Sequence, residues 1–153
     1  MEGRALPVLD QTECWARVET ARHGVLATVH SGRGVDAVPV VYAVVDGRIV
    51  LPVDTVKPKR HLQLGRLANL ALDPRCVLLV EHYSSDWSEL WWVRIHATAS
   101  VPAPSEPGPA PSWLDALAGR YPQYRSPGTV AAAVVLEPTA VTGWAARGDA
   151  AAG

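Results

Sequence analysis

Three cations crowd the end of the stretch "VDTVKPKR", residues 53–60: Lys57, Lys59 and Arg60. Ammonium and guanidinium groups this close in sequence can hold a phosphate or carboxylate through charge-assisted hydrogen bonds. They stand where a strand is expected to give way to a helix, and exposed amides at a helix start favour the same ligand. Without an anion the three repel one another and oppose the positive end of the helix dipole. That opposition costs only about 0.3–1 kcal/mol for an exposed side chain. A solvated basic turn is therefore an equally open reading of these residues alone.

A second group lies in "LWWVRIHATASV", residues 90–101, where apolar and polar positions alternate. Trp91, Val93, Ile95, Ala97 and Ala99 share one face of a strand, with Trp92, Arg94, His96 and Thr98 on the other. The second face suits a cleft in which Trp92 stacks on a ring and Arg94 meets an anion. It equally suits a polar outer surface with Trp92 at a subunit seam.

The remaining candidates point to structure rather than chemistry. His23, His30, His61 and His82 lack metal-ligand spacing. Asp86 and Glu89 follow Ser85 in a turn, which suits capping better than acid–base work. Ser84 and Ser85 lack a nucleophile elbow. Cys76 sits in an apolar run and is expected to be an inert core thiol. No Walker or G-x-G-x-x-G loop is present, which argues against a nicotinamide site of the Rossmann type.

Net charge is −1 over 153 residues, so no overall electrostatic hold on nucleic acid or on an anionic membrane is expected. Any anion site must be local. Hydrophobic content of 48% and charged content of 19% fit an ordinary globule that can bury one core. Two distant cysteines, Cys14 and Cys76, fit a reduced chain. "MEGRALPVLD" lacks an apolar leader segment, and a cytoplasmic protein of one domain, residues 1–153, is expected.

The elements that must position these residues are legible in outline. Asp10 and Glu13 form a capping box, followed by Trp15, Val18 and Ala21 at helical spacing, with Gly24 as the expected stop. "GVLATVH" reads as a strand that ends in "SGRG". "VDAVPVVYAVVDGRIVLPVD" reads as two strands around Asp46-Gly47, a hairpin signal. Extending that register sets Val41 opposite Pro52. Pro39 and Pro52 cannot donate to a ladder, so their edges must be free of a strand partner.

A helix is expected from Pro58, whose ring suits the first helical position, with Leu62, Leu67 and Leu70 on one face. "PRCVLLVEHY" reads as a buried strand and "SSDWSE" as a capped turn. "VPAPSEPGPAPS" is too rich in proline for sheet or helix. "WLDALAGRYPQY" reads as a short helix ended by Pro122. "TVAAAVVLEP" and "TAVTGWA" have strand character, and residues 146–153 are expected to fray. Six or seven antiparallel strands with two or three helices in non-alternating order imply a mainly β (α+β) closed barrel with peripheral helices.

The order of these segments resembles the pyridoxamine 5′-phosphate oxidase-like split barrel, the FMN-binding split-barrel type. The resemblance is carried by the Leu-Ala-Thr strand, the Val-Pro-Val strand, the hairpin, the basic segment, the helix and Asp-Pro-Arg. "WSELWWVRIHATA" and "VTGWA" make it similar to the subgroup that uses the deazaflavin F420. It covers roughly residues 10–145.

The resemblance implies a homodimer with a cofactor, F420 or alternatively FMN, in each cleft between barrels. It implies that Lys57, Lys59 and Arg60 hold the coenzyme's phosphate or acidic tail. Val38, Pro39, Val40, Tyr42, Val53, Asp54 and Thr55 would line the ring, partly through main-chain groups, with Trp92 and Trp144 as further contacts. Trp144 would reach the partner's cofactor or fill the dimer core. "GWAARGDAAAG" lacks the Arg-x-His pair of true pyridoxamine phosphate oxidases, which speaks against vitamin B6 oxidation. The implied activity is hydride transfer between the deazaflavin and a small organic substrate. The alternatives are an FMN-dependent enzyme of the same fold and a non-catalytic carrier or sensor of F420 or haem.

Overall fold

The computed structural model describes residues 8–54, 60–102 and 107–146, without the side chains of 54 and 60–64. Over these residues it contains three helices: α1 (Gln11–Thr20), α2 (Arg60–Leu72) and α3 (Pro111–Arg120). The strands are β1 (Gly24–His30), β2 (Gly34–Val40), β3 (Ala43–Val45), β4 (Arg48–Asp54), β5 (Arg75–His82), β6 (Trp91–Ser100) and β7 (Val130–Ala145). They pair antiparallel in a seven-stranded sheet of order β2-β1-β5-β6-β7-β4-β3.

The two edge strands of this sheet are consecutive in the chain, joined by Val41 and Tyr42 alone. Three Cα-to-Cα steps reach at most about 11 Å, so the sheet must curl until its edges nearly meet. The outcome is a mainly β, seven-stranded antiparallel split barrel with peripheral helices.

Local chemistry explains most of the elements. Asp46 and Gly47, at φ 51° and 75°, form the two-residue turn between β3 and β4 that an Asp-Gly pair favours. The capping box of α1 is formed in both directions, Asp10 Oδ1 accepting from Glu13 N and Glu13 Oε1 from Asp10 N. Along β6 the odd-numbered residues Val93 to Ala99 are buried and the even-numbered Arg94 to Ser100 exposed, as their alternation requires.

Elsewhere tertiary pairing overrides the sequence pattern. The expected single strand before Asp46 is two strands, because β2 pairs with β1 while β3 pairs with β4. Gly24 does not stop α1, which ends at Thr20 with Ala21 as its cap. It opens β1, where an added Cβ would stand 2.8 Å from the Leu79 carbonyl oxygen. The two expected C-terminal strands are one, β7, because both halves find the same partner, β6. Thr139 has no partner across the register shift beside Pro138, and its hydroxyl donates to the His96 carbonyl at 3.1 Å. Ala146, expected to fray, donates its N–H to Leu90 O at 2.8 Å. The expected helix start at Pro58 lies outside the described residues.

The barrel interior is filled by Leu26, Ile49, Leu51, Leu78, Val80, Val93, Ile95 and Leu136. Each such side chain contributes about 1.5–3 kcal/mol on leaving water. α1 packs Leu9, Cys14 and Val18 of its own segment onto this core. A Cβ on Gly143 would lie 2.7 Å from Cys14 Sγ, so only glycine lets α1 approach β7 this closely. α3 packs outside the barrel, with Leu117 and Tyr121 against Ala43, Val50 and Ala133.

Candidate functional site

The barrel is split where β2 parts from β4. β3 leaves β4 at Val50, paired with Ala43, and the chain turns away at Val41–Tyr42 before the extended register could be completed. β4 beyond Val50 pairs on one side only, with β7, and β2 pairs only with β1. Two free strand edges, Val38–Val40 and Leu51–Asp54, therefore flank the split. Pro39 and Pro52 lie on them, as their missing N–H groups require. The backbone N–H and C=O groups of such edges need partners, and among the described residues no strand supplies them.

α2 links β4 on one flank of the split to β5, which lies beyond β2 and β1, and packs against β1. Its inner face is anchored by a buried polar contact: Asn69 Nδ2 donates to Thr28 Oγ1 and to Asp36 Oδ2, both at 3.0 Å. Arg33 completes the anchor with a bidentate pair to Asp36 at 3.0 and 2.7 Å. The Arg33 guanidinium, then the Asn69 amide, hold the Asp36 carboxyl well below the usual carboxylate range.

The expected site residues divide into three sets. Val38, Pro39, Val40 and Val53 lie on the flanks of the split. Pro39 is exposed, Val38 and Val53 are half-buried against the core, and Val40 is buried. Thr55, Lys57 and Lys59 lie outside the described residues, as do the side chains of Asp54 and Arg60, although the strand and helix that carry the last two border the split.

Tyr42 is a correction. It has no exposed surface, and its hydroxyl donates to the Val18 carbonyl of α1, so its ring cannot line a ligand. Burial pushes that phenol above the ordinary tyrosine range. Its main chain is held by Tyr121, whose hydroxyl lies 3.0 Å from Tyr42 O, 2.9 Å from Arg22 O, and accepts from Tyr42 N at 3.3 Å. Arg120 stacks on both rings and donates to the carbonyls of Glu19 and Ala21. Tyr42 thus pins the corner from which the split opens.

Trp92 and Trp144 lie away from these flanks. They stand directly opposite each other on the outer face, with Arg94 stacked 5.0 Å from the Trp92 ring centre. Eight strand positions separate Trp92 from Ser100, about 26 Å of β6, so these rings do not meet the Val53 flank within one chain. They belong to the outer face of β2, β1, β5, β6 and β7, which is largely apolar on its first three strands. Its cross-strand rows run Pro39–Val25–Leu79–Arg94 and Ala37–Ala27–Val77–His96. Val25, Ala27, Val77 and Leu79 are half-buried there, and Val35 is 67% exposed.

A cavity of about 690 Å³ opens beside Val53, a feature the sequence patterns did not mark. Its walls include Leu67 of α2, Val101 after β6, Trp113 of α3, and Ala132 and Val135 of β7. A register shift between Val53 and Asp54 leaves Ala131 as the extra residue at its rim. The signal available was the run Ala131–Ala132–Ala133, whose small side chains leave space where a strand would otherwise carry bulk.

Asp86 and Cys76 have the structural roles expected of them. Asp86 caps a single turn at Trp87–Glu89 by accepting from Ser88 N. Cys76 is buried, and burial pushes its thiol up to about 11. Among the described residues no cluster of His, Cys, Asp or Glu could hold a metal ion, and no helix is long and apolar enough to cross a membrane.

No family model matches this sequence, and no curated protein does. Solved structures match its fold. The conserved hypothetical protein Rv2991 of Mycobacterium tuberculosis is 22% identical with a TM-score of 0.68, over 97% of this chain and 92% of that one. A FAD-binding protein of Mesorhizobium loti is 17% identical with a TM-score of 0.66, over 92% and 96%. A haem-binding protein of Mycobacterium smegmatis is 23% identical with a TM-score of 0.59, over 91% of this chain and 59% of that one. The same split-barrel fold is shared with a putative pyridoxamine 5′-phosphate oxidase of Corynebacterium glutamicum, 19% identical with a TM-score of 0.57 over 89% of this chain and 94% of that one.

Proposed function

We propose that this chain is an oxidoreductase that holds F420 along the split of its barrel and works on a small organic substrate. The observation that carries the reading is the pair of free strand edges, Val38–Val40 and Leu51–Asp54, facing a gap, with the basic segment next in sequence after Asp54. A planar heterocycle with a hydrogen-bonding rim meets the needs of those edges. An acidic tail meets the needs of Lys57, Lys59 and Arg60. FMN offers the same ring shape with a single phosphate, and is the nearest variant.

When bound, the deazaflavin supplies hydride chemistry. The protein's part is grip and exclusion of water: main-chain groups of the two edges orient the ring, Val38 and Val53 shield it, and the basic segment fixes the tail. The outer face of β2, β1, β5, β6 and β7 is proposed to receive a second copy of the chain. That homodimer would carry the partner's Trp92 and Trp144 toward the cofactor. The decisive experiment is titration of the purified protein with F420 and with FMN, followed by absorbance. F420 binding is expected. Tight FMN binding without F420 binding overturns the choice of cofactor.

A second reading is a non-catalytic carrier of F420 or haem. It is favoured by the lack of an acid, base or nucleophile among the described side chains that flank the split, and by the haem-binding neighbour. Reoxidation of reduced F420 against a panel of enones and quinones separates the two, since a carrier binds without turnover.

A further inference from the structure

We infer that the cavity between the end of β4, the start of β7 and the segment leading into α3 binds an uncharged, largely apolar small molecule. Its role as the substrate pocket rests on the function proposed above; its occupancy does not. At about 690 Å³ it has the size of a small-molecule site, typically about 300–1,000 Å³. None of the described residues that line it carries a charge, and Ser100 supplies the one side-chain hydroxyl among them. A charged ligand would lose its hydration here without a described counter-charge. An apolar one would replace water that has few partners on walls of Val53, Leu67, Val135 and Trp113.

Position supports a substrate. Val53 belongs to both the cavity wall and the free edge of β4, so an occupant lies beside a ring held in the split. The room itself comes from three consecutive alanines. Ala132 stands opposite Val53 in the β4–β7 ladder, and Ala131 is exposed at the bulge.

The test uses the full chain without cofactor and two fluorescent probes of similar shape, uncharged N-phenylnaphthylamine and anionic anilinonaphthalenesulfonate. The uncharged probe is expected to bind one-to-one in the cavity, whereas any sulfonate held by Lys57, Lys59 and Arg60 is expected to be insensitive to filling of the cavity. Ala132→Leu and Ala131→Leu, each filling the cavity, are expected to weaken binding of the uncharged probe by about ten-fold or more. Ala131 is exposed, so its variant decides the matter should Ala132→Leu not fold. Sulfonate binding that the filled variants weaken as much as they weaken the uncharged probe, or wild-type affinity for the uncharged probe in a folded filled variant, overturns the inference. An F420 titration of the same samples keeps the two readings apart. Probe binding without F420 binding sinks the proposed function alone, and F420 binding without probe binding sinks this inference alone.

Discussion

The corner at Tyr42 joins β2 to β3 and the split that opens from it lies between β2 and β4, yet the two are built in opposite ways. At the corner the backbone is held from three directions: Tyr121 binds Tyr42 N and O, the Tyr42 hydroxyl reaches α1, and Arg120 stacks over both rings. Among the described polar side-chain atoms buried there, Arg120 Nε alone lacks a partner. Along the split, in contrast, β2 and late β4 each have a strand on one side only among the described residues. The difference teaches where the fold commits its stability. The contacts at the corner fix where the edges start, and the edges' unpaired groups are the ones proposed to meet a ligand.

That contrast breaks most visibly under a change to the split. Replacing Lys57 and Arg60 together by Ala is expected to weaken F420 binding by about 3–6 kcal/mol, at about 1.5–3 per charged hydrogen bond. The melting temperature should stay near that of the parent. Unchanged affinity by absorbance titration would show that the cofactor's acidic groups rest elsewhere.

The corner should respond the other way. Tyr121→Phe leaves Tyr42 N and the Arg22 and Tyr42 carbonyls short of a partner, and is expected to cost about 1–3 kcal/mol of folding stability. Urea unfolding measures it. A loss of F420 affinity larger than the loss of stability would contradict a purely structural corner.

Gly143→Ala tests the packing that seats α1 on β7. Its new methyl would overlap Cys14 Sγ and approach Leu9, at a cost of about 1–3 kcal/mol if the helix cannot shift. Thermal unfolding of the variant near that of the parent would show that α1 gives way.

The smallest effect concerns the anchor of α2. Asp36 and Asp73 are both held below their ordinary value, Asp36 by Arg33 and Asn69 and Asp73, at about 2, by Arg75. Groups with lowered folded values stabilise the protein above their unfolded value near 3.8 and lose that contribution as pH falls. Stability should therefore decline from about pH 5 downward, and Asp36→Asn should make that decline shallower. Acid unfolding followed by circular dichroism decides it: a decline as steep in Asp36→Asn as in the parent would remove Asp36 from the account.

What was legible in the sequence was local. The Asp46-Gly47 turn, the Asp10–Glu13 box, the Asp86 cap and the alternation of β6 each depend on backbone preferences within a few residues, and each stands in the structure. Pro39 and Pro52 announced strands with a free side, and β2 and late β4 each have one among the described residues. The surroundings of single side chains were not legible. Tyr42 looked like a ring liner because nothing nearby in sequence reveals that Val18 and Tyr121, 24 and 79 residues away, enclose it.

The sequence by itself determined the turns, the caps, the strand faces and the placing of three cations after β4, because those follow from dihedral preferences and short-range periodicity. Only the tertiary structure decided that one run before Asp46 breaks into β2 and β3, that β7 is a single strand, and that three alanines frame a cavity. Each of these depends on which distant strand offers the better hydrogen-bond partner, a choice that closure of the sheet makes and no short stretch encodes.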